Sequence, residues 1–136
     1  MSFTRLRYHI VTATRGRRCF IDDRIEGVVH DEIAEAIDEA GGRVVAVGGI
    51  EDHVHVVAAI RPDVAVADVV SRFKAHTSRL VPREFPSHSN FGWQSGYGAF
   101  TLWPDDMDDV VEYVRNQKRH HRRETLRERL ERIDVG

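Results

Sequence analysis

Two histidines interrupt an otherwise apolar run in EDHVHVVAAI, residues 51–60. On a β-strand, residues two apart share a face, so the imidazoles of His53 and His55 project one way while Val54 and Val56 project the other. Two nitrogen donors side by side suit a cation or another polar group that wants both. The ordinary alternative is a pair of core histidines satisfied by their neighbours. A second pair lies in DDVVEYVRNQKRHHRRE, where Tyr113 and Gln117 are four residues apart and hence neighbours on a helix. Met107, Val110, Val111 and Val114 form the apolar stripe of that helix. At about 100° per residue Gln117 falls at the edge of the stripe and Tyr113 just beyond it. That placement suits groups looking into a cleft beside the core, neither fully buried nor free. A packed tyrosine with a wetted hydroxyl and a capping glutamine would look the same.

The elements that must carry these residues follow from periodicity. RYHIVTAT (7–14) is β-branched and aromatic, a first strand, with the basic loop TRGRR after it. Ile25, Val28, Val29, Ile33, Ile37 and Ala40 recur at helical spacing over 22–40 until Gly41 and Gly42 stop the helix. RVVAVGGI (43–50) and HVHVVAAI (53–60) form a hairpin around Glu51 and Asp52, which read as turn residues although either offers an oxygen ligand. A second helix spans about 66–82, and the glycine-broken GWQSGYGAFTL (92–102) supplies a last strand with a close backbone approach or bulge. From Asp105 a final helix runs to about Arg132. The order β-α-β-β-α-β-α predicts an α+β fold: a ferredoxin-like (RRM-like) split-βαβ antiparallel sheet, with an additional C-terminal helix carrying the tyrosine.

With 41% hydrophobic and 31% charged residues, the 136-residue chain reads as one ordinary globular domain, 1–136. A net charge of −2 gives no bulk attraction for nucleic acid, so any basic surface has to be local. A single cysteine, Cys19, excludes an intrachain disulfide. No apolar run approaches the roughly 18 residues of a membrane span, and MSFTRLRYHI lacks the apolar core of a signal peptide, so a cytoplasmic protein is expected.

Taken in order, YHIVTATRGRR, DHVHVV, VVSRFKAHTSRLV, FGWQSGYGAFTL and VVEYVRNQ resemble the single-tyrosine HUH transposases of small bacterial insertion sequences and their stand-alone relatives. The resemblance runs from residue 7 to about 121. It implies metal-dependent nicking and rejoining of single-stranded DNA beside hairpins, through a covalent 5′-phosphotyrosine. It assigns the nucleophile to Tyr113 and the ligands of a divalent ion, Mg²⁺ or Mn²⁺, to His53, His55 and Gln117. The chemistry agrees with the residue types. Neutral imidazoles and an amide leave the ion its full charge for polarising a phosphate, and imidazole favours Mn²⁺ over Mg²⁺. Tyrosine, with an ordinary pKa of about 10, is a fair leaving group for the rejoining step. The resemblance further implies a homodimer in which the tyrosine serves its own or its partner's site.

Phosphate contacts are expected from Arg15, Arg17, Arg18, Arg72, Lys74, Arg79, Lys118 and Arg119, with Arg83, Arg122 and Arg123 beside them. Trp93 and Tyr97 could stack bases, although Trp93 suits the core better. His76, His88, His120 and His121 do not make a second metal site. The Asn-Pro-Val-Arg sequence of the repeat-associated subgroup is missing after Tyr113, which favours an insertion-sequence transposase or an orphan derived from one. The chain also ends sooner than expected, and a missing tail would weaken dimer closure or target handling. Three rivals remain. A domesticated, non-cutting hairpin binder needs only the basic surface. A histidine-triad hydrolase needs a third histidine where Val57 stands. An RRM-like RNA binder needs aromatics on the central strands.

Overall fold

The computed structural model describes residues 2–119 and 128–133. Its four strands are β1 (Arg7–Ala13), β2 (Gly42–Ile50), β3 (His53–Ile60) and β4 (Gly98–Thr101). They form one antiparallel sheet in the order β2-β3-β1-β4, the split-βαβ arrangement expected. Helices α1 (Glu26–Glu39) and α2 (Val66–Glu84) cover one face. Alternation explains why: Val54, Val56 and Ala58 of β3 and Ile10 of β1 meet Val29, Ile33 and Ile37 of α1 and Val69, Val70 and Phe73 of α2 in one continuous core.

The other face is unlike it. Across the sheet, Gly48, His55, Val11 and Gly98 form one row, flanked by the rows Ala46–Val57–His9–Phe100 and Ile50–His53–Ala13. Two short helices are seated here, α3 (Met107–Arg115) and α4 (Glu128–Glu131). Val110 and Val114 of α3 pack on Ala46 and Val57, and Ile133 packs on Val11 and Ala13. Both approaches are close because the row ends in glycine. A Cβ at Gly48 would sit 1.9 Å from the Val114 carbonyl oxygen, and one at Gly98 would sit 1.8 Å from that of Arg132. Any side chain at either position would push the overlying segment off the sheet.

Two elements differ from expectation. The last strand is confined to Gly98–Thr101, with a single bridge from Trp93 to Thr14 before it. Lys74 explains this by donating to the carbonyl oxygens of Gln94 (3.0 Å) and Gly96 (2.7 Å), which are therefore lost to a ladder. Gly96 also turns at φ +88. The helix expected over 105–132 is interrupted. A 3₁₀ turn at Pro104–Asp106 leads into α3, which ends at Asn116 (φ −108, ψ 31). Helical geometry resumes at 117–119 and again in α4, while 120–127 lie outside the described residues.

Candidate active site

β3 sets His53 and His55 on the face away from α1 and α2, as the alternation requires, and both are buried. Their Nε2 atoms turn toward a common point. Gln117 Oε1 lies 3.2 Å from His53 Nε2. The Tyr113 hydroxyl donates to Glu131 Oε2, whose other oxygen lies 3.2 Å from His53 Nε2 and 3.1 Å from His55 Nε2. The four side chains expected from sequence therefore meet within one chain, Tyr113, His53 and His55 at the carboxylate of Glu131 and Gln117 at His53.

The expected cleft position of Tyr113 and Gln117 is corrected. They are 0% and 1% exposed, not half-open. Val110, Tyr113, Val114 and Gln117 make the buried line of this segment, a stripe shifted from the one that valine and methionine alone suggest. The shift has two causes: the sheet contributes polar partners, so a phenol and an amide can be buried there, and Glu131 covers them from the far side. Gln117 Nε2 also donates to the Tyr113 carbonyl oxygen (3.3 Å), coupling the two across the turn at Asn116.

Glu131 was not foreseen. It is one of several acids among arginines near the chain end, and Ile133 docking on β1 and the Gly98 contact hold its segment at the site. His9 was missed as well. It faces the site from β1 opposite Val57, and its Nε2 lies 2.8 Å from His55 Nδ1. Asp52, read as a turn residue, sits in that turn, and its Oδ1 lies 2.8 Å from His53 Nδ1.

The electrostatics follow from this arrangement. Burial alone would lower the His53 pKa, but its hydrogen bonds to Asp52 and Glu131 outweigh burial and raise it from 6.5 to about 9. Burial likewise opposes ionisation of Glu131, yet hydrogen bonds from His53, His55 and Tyr113 hold it well below the usual carboxylate range. His9 is lowered to about 3, by burial first and then by the proximity of His55. The resting site is thus a protonated His53 between two carboxylates. Once His53 gives up a proton, such a donor set could hold a divalent cation: two imidazole nitrogens and a carboxylate oxygen lie within 4.8 Å of one another, with an amide oxygen beside them.

The expected DNA contacts are dispersed. Arg17 and Arg18 are exposed after β1, and Arg72, Arg79 and Arg83 are exposed along α2. Arg15 instead donates to the Asn90 carbonyl oxygen, and Lys74 is occupied with the 94–96 loop. Lys118 reaches Glu26 (2.7 Å), and with Arg115, Asn116, Arg119 and His30 it lines a polar cavity of about 350 Å³. Trp93 is partly buried against the core, bonded to Thr77 and packed on Phe73 and Phe91. His76 pairs with Glu32 and His88 with Asp22. Arg122, Arg123, His120 and His121 lie outside the described residues.

The family model described as transposase, IS200-like, matches residues 2–117. The chain belongs to that family. Among solved structures, it is similar to a candidate transposase from Deinococcus radiodurans R1, with a TM-score of 0.68 and 22% identity over 85% of this chain and 93% of that one. It is also similar to a REP-associated tyrosine transposase bound to a REP hairpin, with a TM-score of 0.63 and 13% identity over 84% of this chain and 67% of that one. At these identities the likeness speaks for the fold. No curated protein matches the chain. Among the described residues no helix is long and apolar enough to cross a membrane.

Proposed function

We propose that this IS200-like transposase nicks and rejoins single-stranded DNA beside hairpins, with Tyr113 as the nucleophile. The observation that carries the reading is the meeting of the Tyr113 hydroxyl and the Nε2 atoms of His53 and His55 at one carboxylate. In the forward step the Tyr113 oxygen bonds to the phosphorus and the bond from phosphorus to the 3′ oxygen breaks. The products are a 5′-phosphotyrosine and a strand ending in 3′-OH. In the reverse step a 3′-OH attacks the phosphotyrosine and Tyr113 leaves, so the joining energy stays in the covalent link.

The residues divide the work. His53, His55 and Gln117 would hold Mg²⁺ or Mn²⁺, with Glu131 adding an anionic oxygen in the absence of DNA. When bound, the ion supplies positive charge to the non-bridging phosphate oxygen. Asp52 fixes the His53 ring through Nδ1. Glu131 orients the phenol but is a poor base in the resting site. Its carboxyl pKa is depressed by the hydrogen bonds it accepts from His53, His55 and Tyr113, so it draws the phenol's proton only weakly and the proton stays on Tyr113 until a phosphate is in place. Tyr113 is buried under the Leu130–Ile133 segment, so an entering phosphate takes the position that the Glu131 carboxylate now holds.

A hairpin oligonucleotide labelled at its 3′ end, incubated with Mn²⁺, tests the reading. A labelled protein adduct is expected with the wild type and none with Tyr113→Phe. Tight hairpin binding without an adduct in either protein would identify the non-cutting binder instead.

A further inference from the structure

Each site histidine is gripped from behind. His53 presents Nε2 to the site while Asp52 holds its Nδ1, an acid–imidazole arrangement common behind metal ligands. His55 presents Nε2 in the same way, but its Nδ1 meets another imidazole, His9 Nε2 at 2.8 Å. The two rings are nearly parallel, 12° between planes with centroids 5.0 Å apart, and Phe100 covers the outer side of His9. His9 is fully buried, and its Nδ1 has no hydrogen-bond partner among the described residues. A buried imidazole whose one satisfied atom points at a site residue has its place in the fold explained by that contact.

We propose that His9 is a positioning residue for the divalent ion: it holds the Nδ1 of His55 so that Nε2 faces the site, and the hydrogen bond between the rings reverses direction when the ion binds. This rests on the metal-site reading above. Without an ion, His55 Nε2 lies 3.1 Å from the ionised Glu131. A carboxylate accepts only, so Nε2 carries a hydrogen; with His55 taken as the neutral ring, Nδ1 then accepts from His9 Nε2–H. With an ion on Nε2, the lone pair is there and the hydrogen is on Nδ1, which donates to His9 Nε2. Each ring keeps one hydrogen in both states, and only its position changes. Asp52 can serve His53 because that ring donates from Nδ1 in both states. The His55 position needs a partner whose single atom is donor in one state and acceptor in the other, which imidazole provides and a carboxylate does not.

Calorimetric titration with Mn²⁺ of wild type, His9→Leu, His9→Gln and His55→Ala separates the possibilities. His55→Ala is expected to lose measurable binding. His9→Leu is expected to weaken binding about 10–100-fold, and His9→Gln, whose amide can donate or accept, to recover most of the loss. If His55→Ala binds as wild type, the metal site itself is wrong. If His55→Ala fails while a folded His9→Leu binds within threefold of wild type, His9 has no such role. A spectroscopic test needs no variant. In ¹⁵N imidazole spectra of the wild type, Zn²⁺ should move the hydrogen from Nε2 to Nδ1 in both His55 and His9. A His9 tautomer unchanged on saturation would overturn the reversal.

Discussion

The two faces of β3 share a backbone and a length, yet they do opposite things. Toward α1 and α2, Val54, Val56 and Ala58 disappear into a core in which nothing titrates. Toward α3 and α4, His53, His55 and Val57 alternate with them, and the layer above supplies a phenol, an amide and a carboxylate. The first face gains by excluding water. The second also excludes water, but each polar group it buries has to find a partner, so its geometry is set by hydrogen bonds and not by volume. Stability and chemistry are thereby separated by the two-residue period of a strand.

That separation is open to a direct challenge on the core side. Phe73 is fully buried in α2. Phe73→Ala should lower unfolding stability by about 3–5 kcal/mol in urea titrations. Adduct formation per folded molecule should change little. A large loss of activity in the folded fraction would mean that the faces are mechanically coupled and the contrast false.

On the site side the stabilising interaction should depend on pH. In the metal-free protein His53 has its pKa raised from 6.5 to about 9. Its contribution is therefore complete below pH 6.5 and disappears as pH rises through 9, on the order of 3 kcal/mol. Glu131, depressed, runs the other way, with its contribution present above its ordinary pKa and lost as pH falls. The two are one interaction seen from both ends and are not summed. Unfolding free energies of wild type and His53→Gln between pH 6 and 9.5 should converge as pH rises. Parallel curves would show that the ion pair contributes nothing.

The glycine row sharpens the comparison. Gly48→Ala sets a methyl group 1.9 Å from the Val114 carbonyl oxygen and must lift α3, which carries Tyr113. A misplacement of about 1 Å can cost roughly 100-fold in rate, so nicking should fall by about that factor while the core-face packing persists. Gly27, exposed on α1, has nothing within 4 Å of an added Cβ. Gly27→Ala should leave nicking intact and add about 0.5–1 kcal/mol of stability. Equal effects at the two positions would remove any special status from the site face.

The same contrast decides what could be read from sequence. The apolar face is periodic, so α1, β2, β3 and α2 emerge within a few residues of their observed ends, and strand alternation alone puts His53 and His55 together. The missing parts belong to the other face and depend on long-range placement. Val57 stands two residues on where a strand-borne third histidine would be, and a third imidazole on this face comes instead from His9, across the ladder from Val57. Glu131 is at the site in a segment whose Ile133 is seated on Val11 and Ala13. Lys74 looks like a phosphate ligand until the 94–96 loop folds onto it. Local pattern does not encode which distant group will satisfy a buried polar atom.

The smallest effect concerns the exposed basic residues beside the site. Lys118 and Arg119 are adjacent and equally plausible as phosphate ligands from sequence, but their surroundings differ. Lys118 Nζ is 2.7 Å from Glu26 and 3.7 Å from Asp23, while Arg119 is exposed with no acid partner among the described residues. A half-exposed pair such as Lys118–Glu26 contributes only about 0–1 kcal/mol, so Lys118→Ala should shift stability by less than about 0.5 kcal/mol. For binding of a hairpin oligonucleotide with single-stranded flanks, Arg119→Ala should reduce the slope of log K against log salt by about 0.7, one phosphate contact. Lys118→Ala should reduce it less, because its charge is already opposed. The opposite ranking would place the strand along the α1 edge, with Glu26 released from Lys118 when DNA arrives.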